Sequence, residues 1–420
     1  MQTERNTNPP IKVLHIVSGG DLRGGAARGA YWLHDALRSK GIGSVFLTTS
    51  RDSNNDATVL SLTKSKLGFV KSIIRSQIDF ILLKLYKKKA TTVFSTGLVG
   101  YDFTKTQEYK DADIIHLHWV NAGLVNIKHL HKIDKPIVWT IRDMWPLTGG
   151  CHYALDCQKF KSGCGCCPQL GSNSKLDLSR FVFFRKLRYI PASLTAVGIS
   201  SWLTEQVNQS KIFQNHTCMT ILNNISISDF NKVDKNVARH ILGLTTDKKI
   251  VLCGSTDLND YYKGFQKYLD SLEFLDSEEV FLCFFGRFEK ALLESYGFEY
   301  HSFGFLNDNI SLNLVYSAAD VFVAPSIQEA FGKTLAESQC SGTPVVCFDA
   351  TGPKDIVEHK ETGYLAKPFD VRDLARGIDW VVNASDHEQL CQNARDKVVR
   401  EFDSKVVAQE YVELYQSVLL

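Results

Sequence analysis

Four short segments of the C-terminal half, Lys249–Gly254, Val280–Gly286, Val321–Pro325 and Pro344–Phe348, are apolar at nearly every position and show no polar alternation. A strand with one wet face alternates. A strand apolar on both faces must be covered on both, which requires helices above and below a parallel sheet. The segments between these runs have helical length, and helices from Val371 and Asp403 close the series. The N-terminal half repeats the pattern: Ile11–Val17 is an apolar run ending at Gly19-Gly20, and Ala26–Lys40 carries Tyr31, Leu33 and Leu37 at helical spacing before Gly41 stops it. Ser44–Thr49 reads as the next strand, Asp113–His118 and Pro136–Ile141 as two more, and Leu194–Ser200 as the last. At 420 residues the chain exceeds what one core supports. The expected fold is α/β, with two doubly wound Rossmann-like lobes over residues 1–205 and 206–400, and a closing helix over 401–420 that packs back on the first lobe.

Composition narrows the function classes. A hydrophobic fraction of 44% and a charged fraction of 22% are those of a globular protein, and the net charge of +2 argues against a nucleic-acid binder. Met1–Pro10 is polar and Val13–Val17 is too short for a secretory h-region, so a cytoplasmic protein is expected. No apolar run reaches the length of a spanning helix, which leaves peripheral contact with a membrane open. Six of the 11 cysteines, Cys218, Cys253, Cys283, Cys340, Cys347 and Cys391, lie scattered in apolar surroundings and read as small core residues of a reduced protein.

The most informative stretch is Pro325–Pro344, between two strands. It carries two glutamates, Glu329 and Glu337, with seven residues between them, followed by Ser341–Val346 and Thr362–Leu365. Together with Ala330-Phe331-Gly332, these residues resemble, in type and order, the retaining glycosyltransferases of family 4, whose fold is GT-B: two Rossmann-like lobes with parallel sheets facing across a cleft. Eight positions lie about 80° off a whole number of helical turns, so the carboxylates do not share a face and Glu329 belongs to the entry loop. The resemblance implies that Glu329 accepts hydrogen bonds from the donor sugar, and that Glu337 holds ribose hydroxyls. An ionised carboxylate is acceptor-only, and the amides of Ala330, Phe331 and Gly332 at a helix start favour a diphosphate. An ordinary glutamate facing a helix dipole, plus a surface glutamate, is the plainer alternative for the isolated pair.

Tyr262-Lys263-Gly264 follows the first strand of this lobe, where the family places a lysine on the diphosphate. Lys263 is the matching residue, and its ammonium would neutralise charge on the leaving group. Relatives add an arginine after the strand glycine; Ser255 and Thr256 stand there in this chain, and Arg287 is either a substitute or a solvated strand-end charge. In the first lobe, Gly19-Gly20-Asp21-Leu22-Arg23-Gly24-Gly25-Ala26 opens a helix, and the backbone at Gly24 and Gly25 is a candidate contact for a phosphate or acceptor, or simply a tight turn. Neither a dinucleotide fingerprint nor a nucleotide-hydrolase loop fits it.

His116, His118 and Trp119 end one strand, and Arg142, Asp143 and Trp145 follow another. His118, Trp119, Asp143 and Trp145 are the acceptor candidates, since aromatic faces suit sugar rings. Arg142 stands where many relatives carry histidine; a permanently charged guanidinium suits phosphate contact and cannot shuttle a proton. The histidines have structural roles as their alternative. Five cysteines fall within seventeen residues, Cys151, Cys157, Cys164, Cys166 and Cys167, and the run Thr148–Leu170 resembles a subset of family 4 linked to bacterial surface polysaccharides. Cys151, Cys157, Cys164 and Cys167 are candidates for structural zinc, although the gaps exceed the usual spacing; disulfides and a packed reduced cluster are the alternatives.

Between Lys64 and Lys89, Leu67, Phe69, Val70, Ile73, Ile74, Ile78, Phe80, Ile81, Leu82 and Leu85 are interleaved with Lys66, Lys71, Arg75, Lys84, Lys87, Lys88 and Lys89. A basic amphipathic helix of this kind either lies on an anionic membrane or packs its apolar face on the sheet. The resemblance implies a retaining transfer of a hexose or N-acetylhexosamine from a nucleotide-diphosphate sugar to a glycan or lipid-linked acceptor in surface polysaccharide synthesis, with no metal cofactor required for the chemistry. A nucleotide-sugar epimerase of the same fold, or an inactive nucleotide-sugar-binding scaffold subunit, are the other readings.

Overall fold

The computed structural model describes residues 10–19, 24–49, 56–63, 65–87, 89–90, 93–293 and 295–420. Gly20–Arg23 of the glycine loop, together with Lys64 and Lys88, lie outside the described residues. The chain divides into two compact units: Met1–Gly198 with Thr204–Ile221 and Val407–Leu420, and Ile199–Leu203 with Leu222–Val406.

The first unit contains β1 (Lys12–Ile16), α1 (Gly25–Ser39), β2 (Gly43–Thr48), β3 (Val59–Ser61), α2 (Lys66–Ile81), α3 (Gln107–Asp111), β4 (Ile114–Leu117), β5 (Ile137–Ile141), α4 (Leu178–Tyr189), β6 (Leu194–Gly198), most of α5 (Ser201–Gln209) and β7 (Thr217–Thr220). Its sheet is wholly parallel in the order β3-β2-β1-β4-β5-β6-β7. Every residue of β4, β5 and β6 is buried, which is what an uninterrupted apolar run requires.

The second unit contains α6 (Lys235–Ile241), β8 (Lys249–Asp257), α7 (Phe265–Leu272), β9 (Val280–Arg287), β10 (Tyr300–Ser302), α8 (Asn309–Ala318), β11 (Val321–Ala324), α9 (Lys333–Cys340), β12 (Val345–Phe348), β13 (Gly363–Ala366), α10 (Val371–Val382) and α11 (His387–Glu401). Its parallel sheet runs β10-β9-β8-β11-β12-β13. Val251, Leu282, Val323 and Val346 meet Phe265, Leu269, Leu374 and Ile378 of the covering helices in its core.

In both sheets the order reverses beside the first strand, between β1 and β4 and between β8 and β11. Crevices at such reversals, at the carboxyl ends of the strands, are where this architecture binds ligands. The final helix, α12 (Ser404–Leu419), starts in the second unit, but Val407, Ala408, Tyr411, Leu414 and Tyr415 pack with Val13, Leu33, Ile114, Val138 and Val197 in the core of the first.

The first sheet does not end at Leu194–Gly198. β7 lies beyond it, and β3 and β10 are further strands that apolar runs do not reveal. All three are edge strands; β3 and β10 have three residues each, and three of the four β7 residues are exposed. An edge strand is covered on fewer sides, so its sequence need not be apolar.

Asp320 ties the second unit together at the foot of β11. Its carboxylate accepts from the Ile250 amide at 2.7 Å, from Lys235 Nζ at 2.7 Å and from an Arg239 guanidinium nitrogen at 2.7 Å. Burial opposes ionisation, but these partners outweigh it and hold the carboxyl below its ordinary value. Replacing Asp320 with Ala leaves the Ile250 amide without its acceptor and should destabilise the unit by about 1–3 kcal/mol in urea unfolding. Because the folded value is lowered, the wild-type contribution is present above the unfolded value and is lost as pH falls below about 4; the variant should lack that loss.

Candidate functional site

In the second unit the loop Pro325–Gly332 leaves the end of β11 and enters α9. It is fixed from two sides. The Ile327 amide donates to the Tyr262 carbonyl at 2.8 Å, and on the other side the Glu329 amide donates to Thr351 Oγ1 at 3.2 Å and the Gly352 amide to the Glu329 carbonyl at 2.9 Å. Gly264 makes the first tie feasible: at φ +68° it takes a left-handed conformation, and a Cβ there would stand 2.0 Å from the Pro325 carbonyl oxygen. The turn Tyr261–Lys263 is thereby pressed onto the loop, and Lys263 Nζ lies 2.6 Å from Glu329 Oε2, with about a fifth of each side chain exposed.

Phe331 is buried with its ring centre 5.4 Å from that of Phe402, and the Ala330 carbonyl accepts from Ser200 Oγ at 2.7 Å. Gly332, at φ +107°, caps α9 without a side chain. Glu337 is fully buried within α9, and the Tyr316 hydroxyl donates to its Oε2 at 3.3 Å. The structure therefore brings Lys263 and Glu329 into contact at the accessible edge of the loop and places Glu337 behind it.

The carboxyl ends of β8, β9 and β10 frame a depression of about 760 Å³ lined by Asn259, Gly286, Arg287, Phe303, Gly304 and Phe305 among others. The sequence singled out Arg287 after Gly286 but not the depression that it lines. Arg287 is exposed, pairs in the sheet with Asp257, and holds its guanidinium 5.2 Å from the Phe305 ring centre. Gly286, at φ +99°, lets β9 pass Ser255, whose carbonyl oxygen would lie 1.7 Å from a Cβ. Ser255 itself is buried. The signal for this wall was a glycine and a cation directly after an apolar run.

In the first unit, β1 and β4 place His15 and His116 side by side in register, and His118 follows β4. Their ring atoms form a group within 4.8 Å of one another, and all three are buried. His15 Nδ1 lies 2.9 Å from His118 Nε2; His116 is held by the Tyr415 hydroxyl at 2.6 Å and by Thr140 Oγ1 at 2.7 Å, which also meets the Tyr411 hydroxyl at 2.7 Å. Arg142 Nε donates to His118 Nδ1 at 3.4 Å. Burial first, then the neighbouring rings and Arg142, push these histidines well below their ordinary value, so they are neutral at pH 7. Burial also lowers Arg142 to about 10, which still leaves it charged.

Asp143 Oδ2 accepts from Trp119 Nε1 at 2.8 Å and lies 2.7 Å from His152 Nδ1, while Oδ1 caps the Trp145 amide at 2.8 Å. Trp145 is buried, its indole donating to the Ser95 carbonyl at 2.8 Å, so within this group Trp119 is the more accessible aromatic ring. Gly24 and Gly25 are exposed at the start of α1, and a Cβ on either meets nothing within 4 Å. Nothing in the described chain therefore demands glycine there. Cys151, Cys164 and Cys167 are buried and Cys157 is half-buried, and the four line one small cavity.

Helix α2 does not bury an apolar face. Within it only Asp79 is buried, bonded to Thr96 Oγ1, while Leu67, Phe69, Val70, Ile73, Ile74, Ile78 and Ile81 are 42–65% exposed. Among the described residues no helix is long and apolar enough to cross a membrane.

Two doubly wound parallel units of this order define the class as the GT-B fold, and solved structures agree. Sucrose-phosphate synthase from Thermosynechococcus elongatus superimposes with a TM-score of 0.70 at 20% identity, over 97% of this chain and 99% of that one. HepE from Anabaena in complex with UDP-glucose gives 0.65 at 17% identity, over 97% and 100%. Residues 234–397, within the second unit, match the family model Glycosyl transferases group 1.

Among sequence relatives, the N,N'-diacetylbacillosaminyl-diphospho-undecaprenol alpha-1,3-N-acetylgalactosaminyltransferase of Campylobacter jejuni is 28% identical over 42% of this chain and 47% of its own length. A glycosyltransferase of Methanocaldococcus jannaschii is 28% identical over 40% and 37%. The match thus spans less than half of either relative. WcaC of Escherichia coli K12, named for colanic acid biosynthesis, is 22% identical over 72% of this chain and 75% of its own.

The neutral histidine group sets a pH limit. Its folded values are lowered, so on acidification the unfolded chain binds protons that the folded unit refuses, and stability should fall once pH drops below about 6.5. Each histidine adds a slope of up to about 1.4 kcal/mol per pH unit. Urea unfolding between pH 7.5 and 5 followed by Trp fluorescence should show this loss, and His15→Gln should reduce the slope.

Proposed function

We propose that this protein is a retaining glycosyltransferase that moves a hexose or N-acetylhexosamine from a nucleoside-diphosphate sugar to a lipid-linked or glycan acceptor in surface polysaccharide assembly. The observation that carries the reading is the Lys263–Glu329 pair at the entrance to α9, within the residues that match the Glycosyl transferases group 1 model. Lys263 is a cation for the leaving diphosphate, Glu329 an acceptor for donor-sugar hydroxyls, and Glu337 a buried acceptor for ribose hydroxyls. The depression beside Arg287 and Phe305 suits the base. In the transfer the C1–oxygen bond to the diphosphate breaks, the acceptor oxygen bonds C1 on the same face, and the acceptor proton passes to the departing phosphate oxygen. The donor bound to HepE and the acceptor named for the Campylobacter enzyme are of the same chemical classes.

Lys263→Met and Glu329→Gln should each lower kcat for transfer at least 100-fold, about 3 kcal/mol, while leaving the circular dichroism spectrum unchanged. Product anomers read by NMR should match the donor. Undiminished transfer in both variants, or an epimerised free nucleotide sugar as the product, would overturn the assignment.

The exposed face of α2 supports a lipid-linked acceptor. Its apolar side chains stand among Lys66, Lys71 and Arg75, with Lys84 and Lys87 just beyond, a composition that inserts shallowly into an anionic bilayer surface. Phe69, Ile73 and Ile74 replaced together by Gln should reduce cosedimentation with phosphatidylglycerol vesicles at least tenfold without loss of fold, since all three are exposed. Equal binding by the variant and the wild type would remove the membrane role.

A further inference from the structure

The segment between β5 and α4 holds five cysteines that sugar transfer leaves unexplained. Cys151, Cys157, Cys164 and Cys167 come from four points of the loop and line one cavity of about 10 Å³, walled also by Ala154 and Phe160. That is roughly the volume swept by one water-sized sphere. Among the described residues the histidine group has ligand atoms within 4.8 Å of one another and the four sulfurs do not, so a bound zinc ion would draw them in to a zinc–sulfur distance of about 2.3 Å.

One of the sulfurs is also addressed by a donor. The Gly149 amide donates to Cys164 Sγ at 3.2 Å. An N–H group aimed at sulfur orients it, as outer-shell partners of metal ligands do. Lys186 is fully buried, its ammonium held by the carbonyls of Trp145 and Thr148 and by the Trp145 ring at 3.7 Å. Cys166 stands apart: at φ +44° it turns its sulfur to the Asn173 carbonyl at 3.3 Å.

The geometry points to a structural zinc ion held tetrahedrally by Cys151, Cys157, Cys164 and Cys167, with Cys166 excluded. The histidine group is no competitor for a cation, because both nitrogens of His116 are engaged and the Arg142 guanidinium bonds His118. The assignment is independent of the proposed transfer.

Full-length protein purified under reducing conditions without chelator should contain about one zinc per chain by elemental analysis. Cobalt exchanged into it should show the thiolate charge-transfer and intense d–d bands of a tetrahedral tetrathiolate site. Cys164→Ser and Cys167→Ser should lose the metal, and Cys166→Ser should keep it. Protein that is metal-free and takes up neither zinc nor cobalt would overturn the site, as would loss of metal from Cys166→Ser or retention by Cys167→Ser. Should the serine variants not fold, the cobalt spectrum of the wild type decides alone.

Discussion

The contact between Gly264 and the Pro325 carbonyl is the constraint from which the second unit's site follows. Two loops leave adjacent parallel strands, and without a close backbone approach their side chains would stand apart at the sheet's edge. Removing one Cβ lets the turns touch, and the amide of Ile327 then finds the Tyr262 carbonyl. A flexible lysine is thereby brought onto a glutamate sixty-six positions further on. Precision of this kind comes from backbone packing rather than from the charges, since an ion pair alone between two part-exposed side chains is weak.

Much of the architecture was legible because both faces of each central strand are covered. That leaves β4, β5, β6, β11 and β12 no freedom to include polar residues apart from Thr and His, and a run of such residues can mean little else. β3, β7 and β10 were invisible for the converse reason, since edge strands answer to one neighbour only. The helix of Leu67–Ile81 shows the limit of periodicity: its apolar residues fix the helix, but only the three-dimensional structure shows that they face solvent and that the single acidic residue, Asp79, is the buried anchor.

The site was legible in part. Lys263 and Glu329 are separated in sequence, and only a resemblance to known enzymes brought them together in advance; no periodicity links them. The roles of His116 and Trp145 were not legible, because strand-end position does not say whether a side chain turns outward or into the core. His116 turns inward to meet the Tyr415 hydroxyl and Thr140, which in turn meets the Tyr411 hydroxyl, and this partnership depends on a helix nearly three hundred residues later. A linear reading has no signal for such a pairing.

That late partnership bears on biosynthesis. The first unit's core includes Tyr411 and Tyr415, so its sheet emerges from the ribosome before the helix that completes it exists. Domains ordinarily fold as their sequences are made. Here almost all of the second unit lies in one uninterrupted stretch, Leu222–Val406, and can finish while the first still waits with the apolar surface over Val13, Ile114 and Val138 uncovered. The unit translated first is thus the one that matures last, and it is this half of the nascent chain that a chaperone would have to shelter.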